Sequence, residues 1–323
     1  MRAWVLSETD VLPTLQYLED PKPVSENQRL IRIVNSSLNH RDIWIGKGQY
    51  PNIVFPCVPG SDGSGYMDNE PVIINPGISW GENQEVQSDN FHIMGMPSQG
   101  TFAEYIVADK KQIHKLPKHL SCEEAAAIPL AGVTAYRAFM VKCQPTKDVK
   151  VLITGIGGGV SLWVLKYAVA IGCEVFVTSR YQDKINKAIS LGATGGVNTS
   201  ETDWSKQLYT LSGGVHIIID SIMGNTLPDL IKLCLPGAKF CFYGASGGKT
   251  DNFSPHSIFW RQISLFGSTM GSDTDFSEML KFISDHKIRP VIDTVFPFTK
   301  LPEAMERMKN SKQFGKIVLD HSK

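Results

Sequence analysis

Hydrophobic positions change their period along the chain. Over residues 1–120 short apolar or alternating runs stand between turn-forming residues. RLIRIVNSSLN and EPVIINPG read as strands, and FAEYIVADKKQIHKLP alternates or runs apolar. PNIVFPCVPGSDGSGYMDNEP is a turn-rich separator, and the polar ISWGENQEVQSDNFHIMGMPSQG predicts a long surface loop. Near residue 121 the period lengthens. Ser121, with Glu123 and Glu124 in a first helical turn, opens SCEEAAAIPLAGVTAYRAFM. From there to about residue 270, VKVLITG, CEVFVTS, GVHIIIDS, AKFCFYGA and ISLFGST alternate with helical patterns, which predicts a doubly wound parallel sheet. FSEMLKFISDH, IRPVIDTVFPF, LPEAMERMKN and KIVLDH then supply helix, strand, helix and strand, returning to the first domain. Two domains are expected: 1–120 completed by 271–323, and 121–270.

Within the second domain, VLITGIGGGVS places Gly155, Gly157, Gly158 and Gly159 between a strand and a helix that begins near Val160. Glycines there let backbone N–H groups approach a pyrophosphate at a helix N-terminus, where the helix dipole favours an anion. A carboxylate about 20 residues further on commonly holds the adenosine ribose diol. This strand instead ends Val177-Thr178-Ser179-Arg180, with Lys184 a turn later. A hydroxyl and two cations suit a ribose 2′-phosphate, so NADPH is expected in preference to NADH. The bland alternative is a serine helix cap followed by a solvated basic turn.

Composition narrows the partners. The 32 basic and 32 acidic residues cancel, which leaves no long-range attraction to nucleic acid or an anionic membrane. No apolar run reaches membrane-spanning length, and MRAWVLSETD is no signal peptide. Cys57, Cys122, Cys143, Cys173, Cys234 and Cys241 are scattered, as core thiols of a reducing compartment would be. A cytoplasmic protein is expected.

SLNHRDIWIGKGQYP, FPCVPGSDGSGYM, GTFAEYIVAD, AAAIPLAGVTAYRAF, VLITGIGGGVS, SLGATGGVNTS and the terminal GKIVL occur in an order and spacing that resembles the medium-chain dehydrogenase/reductase superfamily, in its zinc-less, quinone-oxidoreductase-like branch. The resemblance covers nearly the whole chain. It implies a GroES-like N-terminal catalytic domain, a Rossmann domain, an active site between them, NADP(H) and a homodimer paired near Ser268 and Thr269. The third glycine of the family's nucleotide turn is Ser161 here. Thr134 resembles the residue packed beside the nicotinamide, and Tyr243, Gly244, Gly267 and Ser268 end sheet strands where the dinucleotide crevice lies.

Zinc-containing relatives hold a catalytic zinc with two cysteines and a histidine at positions occupied here by Asn39, Leu130 and Ser61, and Asp62 stands where a glutamate would be. An amide, an alkyl chain and a hydroxyl are not zinc ligands, and residues 76–100 lack the four cysteines of a structural zinc lobe. Both zinc sites are expected to be absent. A separate set, His40, Asp42, Cys57 and Asp62, is close in sequence, but turn-fixing and packing explain it more simply. Without a Lewis acid, hydride addition to a quinone or an α,β-unsaturated carbonyl is the easier reaction, because the developing charge is delocalised and hydrogen-bond donors suffice. Asn39 and Tyr50 are the candidate donors, with the proton coming from solvent. Turn-fixing would equally explain both residues. The alternatives are a zinc-independent alcohol dehydrogenase or aldehyde reductase, and a weakly catalytic NADPH-binding regulatory or structural protein. Loops 44–56 and 250–262, with Phe253, Phe259 and Trp260, are the candidate substrate walls.

Overall fold

The computed structural model describes residues 1–323 except position 252, which falls in the loop 250–262. The chain forms two compact units, Met1–Val133 with Gly271–Lys323, and Thr134–Met270. The first division lies later than the composition change near residue 121. Local bonds explain this: Ser37 Oγ lies 2.8 Å from the Ala126 carbonyl and Ser64 Oγ donates to that of Cys122, tying helix Cys122–Ala126 to the first unit.

The first unit is built on a sheet ordered Ile292–Pro297, Lys316–Asp320, Gln28–Ser37, Asp62–Met67, Glu70–Ile74 and Ile113–Lys115, with Tyr105–Asp109 also pairing to Gln28–Ser37. Gln28–Ser37 is a strand as predicted, with Ile31 and Ile33 buried and Leu30 exposed. Its register sets Ser37 opposite both Asp62 and Val318, which brings three distant segments to one place. Close packing explains the glycines of DGSGYM, Gly63 against the Thr101 side chain and Gly65 against the neighbouring strand. A Cβ on Gly65 would lie 1.9 Å from the Arg32 carbonyl oxygen, so a side chain there would push the strands apart. The expected surface loop 78–100 is only partly at the surface. Gly77–Ile78 pairs with His92–Ile93, and Trp80, Met94 and Met96 are buried. The polar spacing concealed these apolar anchors.

The second unit carries a six-stranded, wholly parallel sheet ordered Gly195–Asn198, Glu174–Ser179, Lys150–Ile153, Val215–Asp220, Cys234–Phe242 and Ser264–Gly267. Val151, Leu152 and Ile153 are all buried, as a strand covered on both faces requires. Leu152, Phe176, Ile218 and Phe240 meet Trp204, Leu208 and Leu230 in one core. The run 121–140 is not one helix. Helix Cys122–Ala126 stops, Pro129 starts a second to Tyr136, and Arg137–Cys143 widens into a π-helix. The fold is thus α/β, a doubly wound, Rossmann-like parallel sheet plus a β-rich unit. Among the described residues no helix is long and apolar enough to cross a membrane.

Candidate active site

In the first unit, Asn39 caps helix His40–Gly46 in an unusual division of labour. Asp42 reaches back to accept the Asn39 backbone N–H at 2.8 Å. The Asn39 side chain turns to Asp62 and Lys316 instead. Its Nδ2 donates to Asp62 Oδ2 at 2.9 Å, and its Oδ1 accepts from Lys316 Nζ at 2.7 Å. Lys316 is buried, and its ammonium also donates to the Leu38 carbonyl at 2.6 Å and to Asp62 Oδ2 at 2.9 Å. Three N–H bonds are thereby used, the full donor capacity of an ammonium.

Asp62 is the centre of this cluster and is fully buried. Besides Asn39 and Lys316 it has Ser37 Oγ at 3.1 Å, and its Oδ1 accepts the Leu130 backbone N–H at 2.8 Å. Burying a carboxylate is costly unless it is paired and hydrogen-bonded on both oxygens, and here it is. Ser61, its neighbour, faces a second buried cation. Arg41 donates to Ser61 Oγ at 2.6 Å and to the carbonyls of Met94 and Met96 at 2.9 and 3.3 Å, while Ser61 itself donates to Met94. The Arg41 guanidinium lies 4.9 Å from the Tyr50 ring centre, and its Nε approaches the Tyr50 hydroxyl at 3.4 Å. Tyr50 packs on Leu6, Ile45, Cys57 and Met96.

The structure therefore gathers Asn39, Asp62 and the Leu38 carbonyl around one ammonium, with Ser61 and Tyr50 around one guanidinium. This set does not fit zinc. The positions where zinc-containing relatives carry thiolate and imidazole hold an amide bonded to an ammonium, a hydroxyl bonded to a guanidinium, and an alkyl side chain. A divalent ion would face both cations without a soft ligand. Nor are His40, Asp42, Cys57 and Asp62 assembled as ligands: no group of three or more His, Cys, Asp or Glu suited to a metal occurs among the described residues. Cys57 packs in the apolar cluster, and burial pushes its thiol up to about 11.

In the second unit, the candidate cofactor residues sit at the carboxyl ends of parallel strands, where doubly wound sheets bind ligands. Gly155 and Gly157 adopt positive φ of 62° and 114°, Gly158 caps the helix Gly159–Ile171, and Val160 lies in its first turn. Ser161 Oγ approaches the carbonyls of Gly155 and Gly158 at 3.3 and 3.0 Å, so this side chain braces the turn where another glycine was expected. Ser179 ends the neighbouring strand and its Oγ accepts the Tyr181 N–H at 3.2 Å; the helix cap itself is Tyr181. Exposed Arg180 and half-buried Lys184 flank the Tyr181 ring at 5.9 and 5.2 Å. Tyr243 and Gly244 follow strand Cys234–Phe242, Gly267 and Ser268 end the next, and Ser268 N–H donates to Phe242. Thr134 Oγ1 lies 3.8 Å from Met270 Sδ. Phe253, Phe259 and Trp260 are exposed.

Three contributors were not singled out in the sequence. Lys316 stood in the GKIVL motif without a role, and Arg41 stood likewise within SLNHRDIWIGKGQYP. Asp220 ends the apolar run HIIID, directly across the switch between strands Lys150–Ile153 and Val215–Asp220. It is bonded by Thr154 Oγ1 and accepts the N–H groups of Ile222 and Met223 at 3.1 and 2.6 Å. A carboxylate closing an apolar strand is the signal that could have found it. Burial holds its carboxyl above the usual range, against those hydrogen bonds.

Asp42 gives this region a pH dependence. Burial pushes its carboxyl from 3.8 up to about 6, with Arg41 the largest opposing influence. Its Oδ1 is buried with no hydrogen-bond partner. The folded state thus holds this proton more tightly than the unfolded chain, and ionisation costs stability. The cost is absent below about pH 4, grows to about pH 6 and is constant above, reaching roughly 3 kcal/mol. Replacing Asp42→Asn removes it. In denaturant titrations the wild type should lose stability relative to the variant between about pH 4 and 6, with a flat difference from about pH 7 to 8. A difference without slope in the lower range would refute this account.

The comparisons with known proteins agree with this architecture. Residues 25–118 match the family model of the alcohol dehydrogenase GroES-like domain, and residues 159–285 that of the zinc-binding dehydrogenase. A zinc-type alcohol dehydrogenase-like protein, YogA of Leptosphaeria maculans, is 32% identical, covering 95% of this chain and 94% of its own. Quinone oxidoreductase-like protein 2 of Bos taurus is more distant at 23%, over 93% of this chain and 86% of its own. A solved NAD-dependent alcohol dehydrogenase superposes with a TM-score of 0.93 at 32% identity, covering 99% of each chain. On these matches and on its two-unit α/β fold, the chain belongs to the medium-chain dehydrogenase/reductase superfamily of NAD(P)-dependent oxidoreductases.

Proposed function

We propose that this protein is an NADPH-dependent reductase of quinones or α,β-unsaturated carbonyls that works without zinc. The observation that carries this reading is the Asp62–Lys316–Asn39 cluster, which replaces a metal's ligand set with a closed hydrogen-bond network. A bound nicotinamide supplies the hydride. The protein's part is to bind and polarise the acceptor oxygen. Asn39 has two amide N–H groups and gives one to Asp62, which leaves one for a substrate oxygen. Tyr50 offers a hydroxyl held beside a guanidinium. A conjugated acceptor suits donors of this strength because its oxyanion is delocalised.

A second reading is a zinc-independent alcohol dehydrogenase or aldehyde reductase; the names of the 32% identical relatives favour its alcohol dehydrogenase activity, not its independence of zinc. NADPH oxidation measured with 9,10-phenanthrenequinone, an enone and an aldehyde separates the two. Turnover of the quinone or enone is expected, and turnover of the aldehyde alone would favour the second reading. With the preferred acceptor, Asn39→Ala and Tyr50→Phe are each expected to lower kcat by about one to two orders of magnitude. Unchanged kcat in both would remove the oxygen-holding role.

The basic turn at Arg180 and Lys184 supports NADPH over NADH. Arg180→Asp should raise KM for NADPH by at least about tenfold while changing that for NADH little, since one charge-assisted phosphate contact is worth about that much. Equal effects on both cofactors would exclude a phosphate contact. We also propose a homodimer paired along the edge strand Ser264–Gly267, where Leu265 is exposed. Light scattering should then read twice the 35.7 kDa chain mass, and a monomer would refute it.

A further inference from the structure

The Asn39 side chain meets two unlike partners, an ammonium at its oxygen and a carboxylate at its nitrogen. An amide flipped by half a turn would set its N–H groups against an ammonium and its carbonyl against a carboxylate. Both contacts would become repulsive, so one orientation alone is compatible with this pair. The partners are themselves fixed. Lys316 is pinned by the Leu38 carbonyl and Asp62, and Asp62 by the Leu130 N–H, all in the buried interior. A neutral residue at position 316 would leave the amide oxygen without its charged donor and the carboxylate without its cation.

We propose that Lys316 and Asp62 are a positioning pair that locks the Asn39 amide, so that its remaining N–H is a fixed donor to the substrate oxygen. The inference rests on the reading of Asn39 as that donor and assigns its geometry to two residues that do not touch substrate. The ammonium has no N–H left to offer a ligand, so it acts through the amide. A metal would provide an electrophile by its own charge. This site provides one by orienting a neutral donor in advance, so that no reorganisation is needed as charge develops on the acceptor. Charge on both partners matters because a charge-assisted hydrogen bond is roughly twice as strong as a neutral one.

The test must separate positioning from structural support, since breaking the buried pair on one side leaves an uncompensated charge. Lys316→Met combined with Asp62→Asn removes both charges at nearly constant volume. The double variant is expected to keep its melting temperature within a few degrees and its KM for NADPH. Its kcat should fall by about 10- to 100-fold, comparable to loss of a positioned donor. Recovery of kcat together with stability would reduce the pair to a structural role and overturn the proposal. Should the double variant not fold, Lys316→Arg serves the same reading, because a planar guanidinium does not converge three N–H groups as an ammonium does. It should lower kcat with KM for NADPH unchanged, and wild-type kcat would overturn the proposal.

Hydrogen exchange of the Asn39 side-chain amide, followed by NMR, needs no turnover. Protection in the wild type that is lost in whichever of these variants folds supports the lock, and protection retained overturns it. Absence of wild-type turnover with every acceptor would remove the reductase reading, while this exchange measurement still decides whether the pair holds the amide.

Discussion

A fully buried carboxylate dictates the organisation of the first unit. Donors converge on both oxygens of the buried Asp62 carboxylate, and they come from three separate segments: the turn at Asn39, with Ser37 Oγ beside it, the Leu130 backbone and Lys316. Each donor is fixed by an element with its own reason to exist. A strand register brings Ser37 opposite Asp62, a helix cap releases the Asn39 amide, and the strand beginning at Lys316 pairs beside Gln28–Ser37. Gly65 lets the strand carrying Asp62 lie close to its neighbour, and Gly63 leaves room for the Thr101 side chain.

The same neighbourhood holds two buried cations. Lys316 lies against the Asn39 amide and Arg41 against the Ser61 hydroxyl, so that both polar side chains are bonded to a charged group. In the second unit, Asp220 plays an analogous part at the sheet's switch point, fixing the loop after its strand by accepting two backbone N–H groups.

Much of this was legible in the sequence because it rests on local rules. The glycines at 155–159 announced a strand–turn–helix, and the apolar strands of the second unit announced a sheet covered on both faces. Ser121 with Glu124 announced a helix start, and the capping bonds are present. What was hidden depends on pairing between remote segments. Nothing near Lys316 indicates that its ammonium is buried against Asp62, because a lysine after a glycine usually marks a solvated turn. Arg41 beside Asp42 likewise reads as an exposed helix start until tertiary contacts bury both. Trp80 stands alone among polar residues and Met94 in the short FHIMGM, so neither carries a periodic signal and the segment reads as a surface loop.

The separation of those partners also bears on the order in which the molecule is assembled. Lys316 bonds to Asp62 across 254 positions of chain and to Leu38 across 278. Contacts of such long sequence separation form only after the costly closure of the intervening chain. Until the strand Lys316–Asp320 docks, Asp62 lacks its cation. Completion of the buried ion pair and completion of the sheet are therefore one event, and a chain without that strand would have neither.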